Sequence, residues 1–206
     1  MGQPYSRPFA SIMLFLVANV AFPQASGMGI KGGPLLSDMR SGAYTSKQLP
    51  GATAGIYFPL YAGSRLELQP EVLLTALGAA FEDTEGERSS LRTVYVQVPI
   101  AMKLFLSNTL NVHAGAQAGR LLLAQQNSPN GNSDVRDSYS KMDWGVVLGF
   151  GTDLSSGVDL TLRYYSGMAP VLVADEALFP RNRALQITLG YRLMRFKPLD
   201  RGRRRK

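Results

Sequence analysis

The chain has 206 residues, enough for one domain with a sizeable core, and no cysteine, which excludes disulfides, thiol chemistry and a lipidated N-terminal Cys. Its formal charge is +7, but the segment RFKPLDRGRRRK (195–206) holds seven Lys or Arg against one Asp, and Arg7 supplies the rest. Residues 8–194 sum to zero, so no folded surface carries the basic excess expected of a nucleic-acid binder.

In chain order, Arg7 precedes FASIMLFLVANVAF (9–22), an uncharged apolar run, followed by the small residues of PQASG. This is the layout of a cleavable signal peptide, and the run is shorter than the ~20 residues a membrane-crossing helix needs. The expected division is a signal peptide over 1–25, a folded domain over 26–196 and a basic, solvated tail over 197–206. Cleavage fits after Ala25 or after Gly27. No later segment is apolar enough for a transmembrane helix.

The mature chain reads as eight strands. GMGIKGGPLL opens it with a weak pattern near 28–36. In 51–61, Ala52, Ala54, Ile56, Phe58 and Leu60 share a face. In 64–77, Leu66, Leu68, Pro70, Val72, Leu74 and Ala76 alternate with Arg65, Glu67, Gln69, Glu71 and Thr75. In 91–105, Val94, Val96, Val98, Ile100, Met102 and Leu104 oppose Tyr95, Gln97 and Lys103. In 109–123, Leu110, Val112, Ala114, Ala116 and Ala118 oppose Asn111, His113 and Gln117. In 141–154, Met142, Trp144, Val146, Leu148 and Phe150 oppose Asp143 and the glycines 145, 149 and 151. In 157–168, Val158, Leu160, Leu162 and Tyr164 oppose Asp159, Thr161, Arg163 and Tyr165. In 183–194, Leu185, Ile187, Leu189, Tyr191 and Leu193 oppose Gln186, Thr188 and Arg192. Period-two alternation gives each strand two unlike faces.

Alternation alone leaves open which face is the outside. Length and loop rhythm decide for a membrane barrel. Most runs hold about ten residues or more, against about 5–6 in an average globular strand. At ~3.3 Å per residue and ~45° tilt, ten residues span roughly 24 Å, close to the ~25 Å apolar band of an outer-membrane barrel. Tight turns follow the second, fourth and sixth strands. The connections 37–50, 78–90, 124–140 and 169–182 are long and polar. The expected fold is all-β: an eight-stranded antiparallel up-and-down transmembrane β-barrel, its apolar faces to lipid and both termini on the short-turn, periplasmic side. A secreted soluble barrel with apolar faces turned inward is the alternative.

With that orientation, Arg65, Glu67, Glu71, Lys103, His113, Asp143, Asp159, Arg163 and Arg192 point into the lumen. Their mixed signs read as a structural salt-bridge network, since eight strands enclose just enough space for their own side chains. No catalytic, cofactor or metal residue is assigned. His113 is the only histidine, and no serine two residues away supplies it with a nucleophile. Glu67 and Glu71 lie roughly 13 Å apart along a strand, too far for a paired-carboxylate hydrolase. NSPNGNSDVRD (127–137) has alternate oxygen donors but lacks the distal Glu of a calcium loop.

GIKGGPLLS (29–37), YVQVPIAMKLFL (95–106), GFGTDLSSGVDLTLRYYSG (149–167) and LQITLGYRL (185–193) together resemble the small eight-stranded outer-membrane β-barrel families of Gram-negative bacteria, the outer membrane protein beta-barrel domain group that includes PorT-like proteins. The resemblance implies outer-membrane lipid as surroundings and long loops outside the cell. It also implies recognition of the last strand by the barrel assembly machinery, through Gly190, Tyr191 and Leu193. A non-enzymatic structural or interaction role follows, with an unidentified protein partner at the loops and PorT-like, secretion-associated work as one version. The chain departs from such barrels in running past Phe196 into the basic tail. A barrel enzyme acting on membrane lipid is the other functional alternative.

Overall fold

A computed structural model of the chain describes residues 26–40, 46–61, 65–82, 88–128, 131–171 and 180–196. The expected signal peptide and basic tail lie outside the described residues. The strands are β1 (Ser26–Arg40), β2 (Lys47–Tyr57), β3 (Leu60–Tyr61), β4 (Leu66–Glu82), β5 (Arg88–Phe105), β6 (Leu110–Ser128), β7 (Gly131–Asp134), β8 (Met142–Asp153), β9 (Val158–Gly167) and β10 (Arg181–Phe196). β3 continues β2 beyond the break at Phe58-Pro59, and β7 folds back on the end of β6 as a hairpin. The remaining eight form the wall. Each pairs antiparallel with the next, and β10 closes the ring on β1 from Arg40↔Arg181 to Ser26↔Phe196. Phe196 is thus the last rung of the closing ladder.

The registers fix the tilt. From Asp38 the partners run through Arg183, Ser166, Val146, Ala116, Ile100 and Pro70. Pro70 then accepts from the Phe58 N–H, and the row re-enters β1 near Met28, ten residues from Asp38. Ten residues of stagger over eight strands correspond to a tilt of about 40°.

The alternation is realised with the apolar face outward. Leu148 is 63% exposed, Phe150 59% and Ile187 50%, while Glu67, Glu71 and Lys103 are fully buried. Such a surface belongs in hydrocarbon; in water it would be an apolar patch far beyond what a soluble monomer carries. Ser26, Phe196 and the turns 106–109 and 154–157 gather at one end of the ring. In the last of these, Gly157 at φ 95° takes the left-handed conformation and its N–H closes the turn on the Leu154 carbonyl.

The long connections are shorter than the sequence suggests. β1 runs to Arg40 and β2 starts at Lys47; β4 reaches Glu82 and β5 starts at Arg88; β6 extends to Ser128. Backbone pairing continues above the apolar band whatever the side chains, because an unpaired strand end would still need partners for its N–H and C=O groups. Within 127–137, Gly131–Asp134 likewise pairs back on β6, with Asn127 opposite Asn132, and a 3₁₀ turn follows at Arg136–Ser138.

One wall defect is repaired from inside. β2 and β4 pair at Gln48↔Ala79 and again at Ala52↔Ala76, so three residues of β2 face two of β4. Pro50, in the gap, has no N–H to give. The Ser37 hydroxyl, reaching across from β1, donates to the Gly78 carbonyl at 2.9 Å and accepts from the Gly78 N–H at 2.7 Å.

Candidate functional site

The lumen is filled in three layers. At its middle, Glu71 on β4 accepts from Nη1 and Nη2 of Arg163 on β9, at 2.9 and 2.7 Å. The same carboxylate takes Lys31 Nζ from β1 at 3.0 Å and Gln69 Nε2 at 2.6 Å. All four side chains are buried. A two-pronged Arg–carboxylate pair of this geometry is among the stronger polar contacts available. Lys31 also stands 5.0 Å from the centre of the Tyr57 ring.

Toward the short-turn mouth lies a second layer. Lys103 Nζ reaches Asp153 at 3.1 Å and Glu67 at 3.8 Å. Arg192 lies 3.6 Å from each of the same two carboxylates. Asn111 donates to Asp153 at 2.8 Å. Asn111 Oδ1 is in turn 3.4 Å from His113 Nδ1. The His113 ring occupies the space over Gly149 on β8, where an added Cβ would come within 2.6 Å of Nε2. Asp159, also buried, faces Gly190 on β10 in the same layer.

The third layer, toward the long-loop end, is mostly apolar. Leu35, Leu77, Tyr95, Leu121, Val147 and Tyr165 pack together inside the ring. Met39, Leu91 and Val171 continue the cluster upward, and Val135 and Tyr139, from the connection after β7, pack over both. Burial holds the Tyr139 phenol above its ordinary pKa, so it stays neutral against this cap. Asp143 sits here, accepting from Asn182 Nδ2 at 2.9 Å.

The structure therefore brings Glu67, Glu71, Lys103, His113, Asp159, Arg163 and Arg192 into one polar interior and places Asp143 apart, in the upper layer. Arg65 is a correction. It is exposed, one residue before β4, where the chain still bends at the mouth and water reaches the side chain. Two network members escape the sequence reading. Lys31 and Asp153 both hold the parity of the inward face. Lys31 is masked by a glycine-rich run without strong alternation, and Asp153 falls beyond Gly151 beside a turn.

No curated protein sequence matches the chain. Among solved structures, it resembles Neisserial surface protein A (16% identity, TM-score 0.53, covering 81% of this chain and 97% of that one). It also resembles Ail, the attachment invasion locus protein of Yersinia pestis, solved with the heparin analogue sucrose octasulfate (14% identity, TM-score 0.50, covering 82% and 99%). At these identities the likeness is one of fold. The outer-membrane enzyme PagL matches at a TM-score of 0.35, too distant to carry an argument. Residues 17–173 match the family described as "Outer membrane protein beta-barrel domain" and span about three-quarters of the sequence; together with the closed ring and its apolar exterior, this places the chain in that outer-membrane barrel family.

Proposed function

We propose that the protein is a non-enzymatic, closed outer-membrane barrel whose long-loop end is an interaction surface. The observation that carries this reading is the filled lumen: ion pairs in the lower two layers and an apolar plug under Val135 and Tyr139 in the third. Four cations, Lys31, Lys103, Arg163 and Arg192, pair with Glu67, Glu71 and Asp153, and Asp143 and Asp159 are buried in the same lumen, so neither sign is left in large excess to draw ions through. Purified protein in a planar bilayer is expected to give only rare, flickering conductance. A steady, long-lived open state would replace this reading with transport.

The extended strands above the membrane, with the β7 hairpin, offer the surface for a protein partner. A PorT-like, secretion-associated role is one form of this reading and rests on sequence resemblance alone. The β10 strand, closing the ring and ending in Phe196, would carry the signal for the assembly machinery.

In this reading the long connections face the outside and both termini the periplasm. Trypsin added to intact cells is expected to cut after Arg136, which is exposed on the turn beyond β7, and to spare the basic tail until the outer membrane is opened. A tail lost from intact cells, with Arg136 protected, would reverse the topology.

A further inference from the structure

Between the Glu71 layer and the apolar plug, three inward glutamines share one height. With the stagger of the ring taken into account, Gln97 on β5, Gln117 on β6 and Gln186 on β10 lie within about 3 Å of a common level along the barrel axis. All three are only 1–2% exposed. Arg163 stands just below them, and Leu77, Tyr95 and Leu121 close the lumen above. Side chains are sparse here. Gly33 on β1, Gly55 on β2, Gly115 on β6 and Gly145 on β8 take inward positions within about 6 Å of the same level. At Gly29, Gly149 and Gly190 a side chain, from Tyr57, His113 and Asp159, meets the place of an added Cβ. At these four the three nearest atoms all belong to the backbone of the next strand.

The amides are buried without protein partners. Oε1 and Nε2 of Gln117, Oε1 and Nε2 of Gln186, Oε1 of Gln97 and Nε of Arg163 make no hydrogen bond to any described residue. A buried amide left unpaired is costly, so native interiors complete such groups with protein or with water. These groups do not complete one another. Gln117 and Gln186 are three strands apart, and Gln97 and Gln117 are diagonal neighbours on β5 and β6. Exchanging the oxygen and nitrogen of any of the amides leaves the same need, one donor group and one acceptor.

We infer that Gln97, Gln117 and Gln186 hold a small cluster of long-lived water molecules sealed inside the barrel. The unpaired groups are three acceptors and three donors. The amides are neutral, and the one charged donor, Arg163, is already paired with Glu71. Such a set favours neither a cation nor an anion. It suits a neutral molecule that donates and accepts at once. Ion pairs close the space below and the plug closes it above, which leaves no room for a larger polar solute. A buried water makes about three hydrogen bonds, so six groups call for at least about two molecules. The inference rests on the closed-lumen reading and deepens it: the barrel is shut but wet at one level, and Arg163 Nε is completed by water where Glu71 does not reach.

Magnetisation transfer from water to the glutamine side-chain amides tests this in the full chain, isotope-labelled at glutamine and folded into lipid nanodiscs. Water–amide cross-peaks of opposite sign in the laboratory and rotating frames mark a long-lived contact. Cross-peaks of the same sign mark proton exchange or fleeting water. Gln97, Gln117 and Gln186 are expected to show opposite signs, and Gln48, exposed at the rim, to show the same sign. In Gln117→Leu/Gln186→Leu the water loses most of its partners, and the cross-peak to Gln97 should be lost. Absent cross-peaks in the unmodified protein overturn the inference. A Gln97 cross-peak that survives the double substitution also overturns it, since it would come from a hydroxyl such as that of Thr53, Thr75 or Tyr165. Same-sign cross-peaks at the three glutamines overturn the sealed cluster, while the planar-bilayer recording decides separately whether the barrel conducts. If the double variant does not fold, Gln117→Leu alone carries the comparison: a Gln97 cross-peak undiminished there is fatal to the idea.

Discussion

Replacing Glu71 by alanine is expected to destabilise the barrel by about 3–5 kcal/mol, the range seen when one partner of a buried ion pair is removed. The carboxylate is fully buried and takes four hydrogen bonds, from Arg163, Lys31 and Gln69. Its loss strands two cations in a lumen sealed above by Leu35, Leu77, Tyr95 and Tyr165. Glu71→Gln keeps an acceptor for one or two of those donors but not the charge, and should cost less. The decisive comparison is the triple change Lys31→Met/Glu71→Leu/Arg163→Met. It removes the charges together and replaces them with apolar side chains of similar length. A buried triad so replaced is often neutral or even stabilising, because the desolvation of three ions no longer has to be overcome. Equilibrium unfolding by urea from lipid vesicles would measure all three. A Glu71→Ala variant within about 1 kcal/mol of the parent would show that water, not the protein, satisfies Lys31 and Arg163. A triple variant as unstable as the single one would show that the middle layer depends on the ion pairs themselves.

The faces of most strands are legible because period two survives in the long runs after β1: Val94 to Leu104 alternates without interruption, and the exposures follow it residue by residue. What alternation cannot convey is where a strand begins. Arg65 has the parity of Glu67 and Glu71, but the ladder starts at Leu66, so the pattern was extended one residue into the mouth. Nor can it show which inward residues meet. Glu71 and Arg163 are 92 positions apart and sit on strands that do not pair; only the ten-residue stagger brings them to one level across the lumen. The upward extension of β5 and β6 was invisible for another reason. Above the membrane both faces are polar, the hydrophobic signal vanishes, and backbone hydrogen bonding alone carries the strand on. The same stagger explains why the upper plug was missed. Leu35, Leu77, Leu121 and Val147 have inward parity in runs read for their outward partners, and each appears as an isolated apolar residue until the ring is closed.

Depth in the membrane follows from the same geometry and leads to the second large effect. Ile100 and Val96 share the lipid-facing side of β5, and the sequence gives no reason to treat them differently. In the ring, Ile100 stands opposite Pro70 and Ala116, near the middle of the apolar band. Val96 stands opposite Arg120, an exposed arginine near its upper edge. The cost of an arginine facing lipid is ~2–4 kcal/mol at the midplane and falls to ~0–1 kcal/mol at the interface. Ile100→Arg should therefore lose about 2–4 kcal/mol. Val96→Arg should lose no more than about 1 kcal/mol, with some penalty from its new neighbour Arg120, because its guanidinium reaches the headgroup level that Arg120 already occupies. Gln97→Leu points the other way and tests the face itself. Its side chain is buried in the lumen, so adding apolar surface there gains nothing from lipid. Urea unfolding in vesicles of one lipid composition would rank the three. If Val96→Arg cost as much as Ile100→Arg, the two positions would lie at one depth in the membrane, and the tilt read from the registers would be wrong.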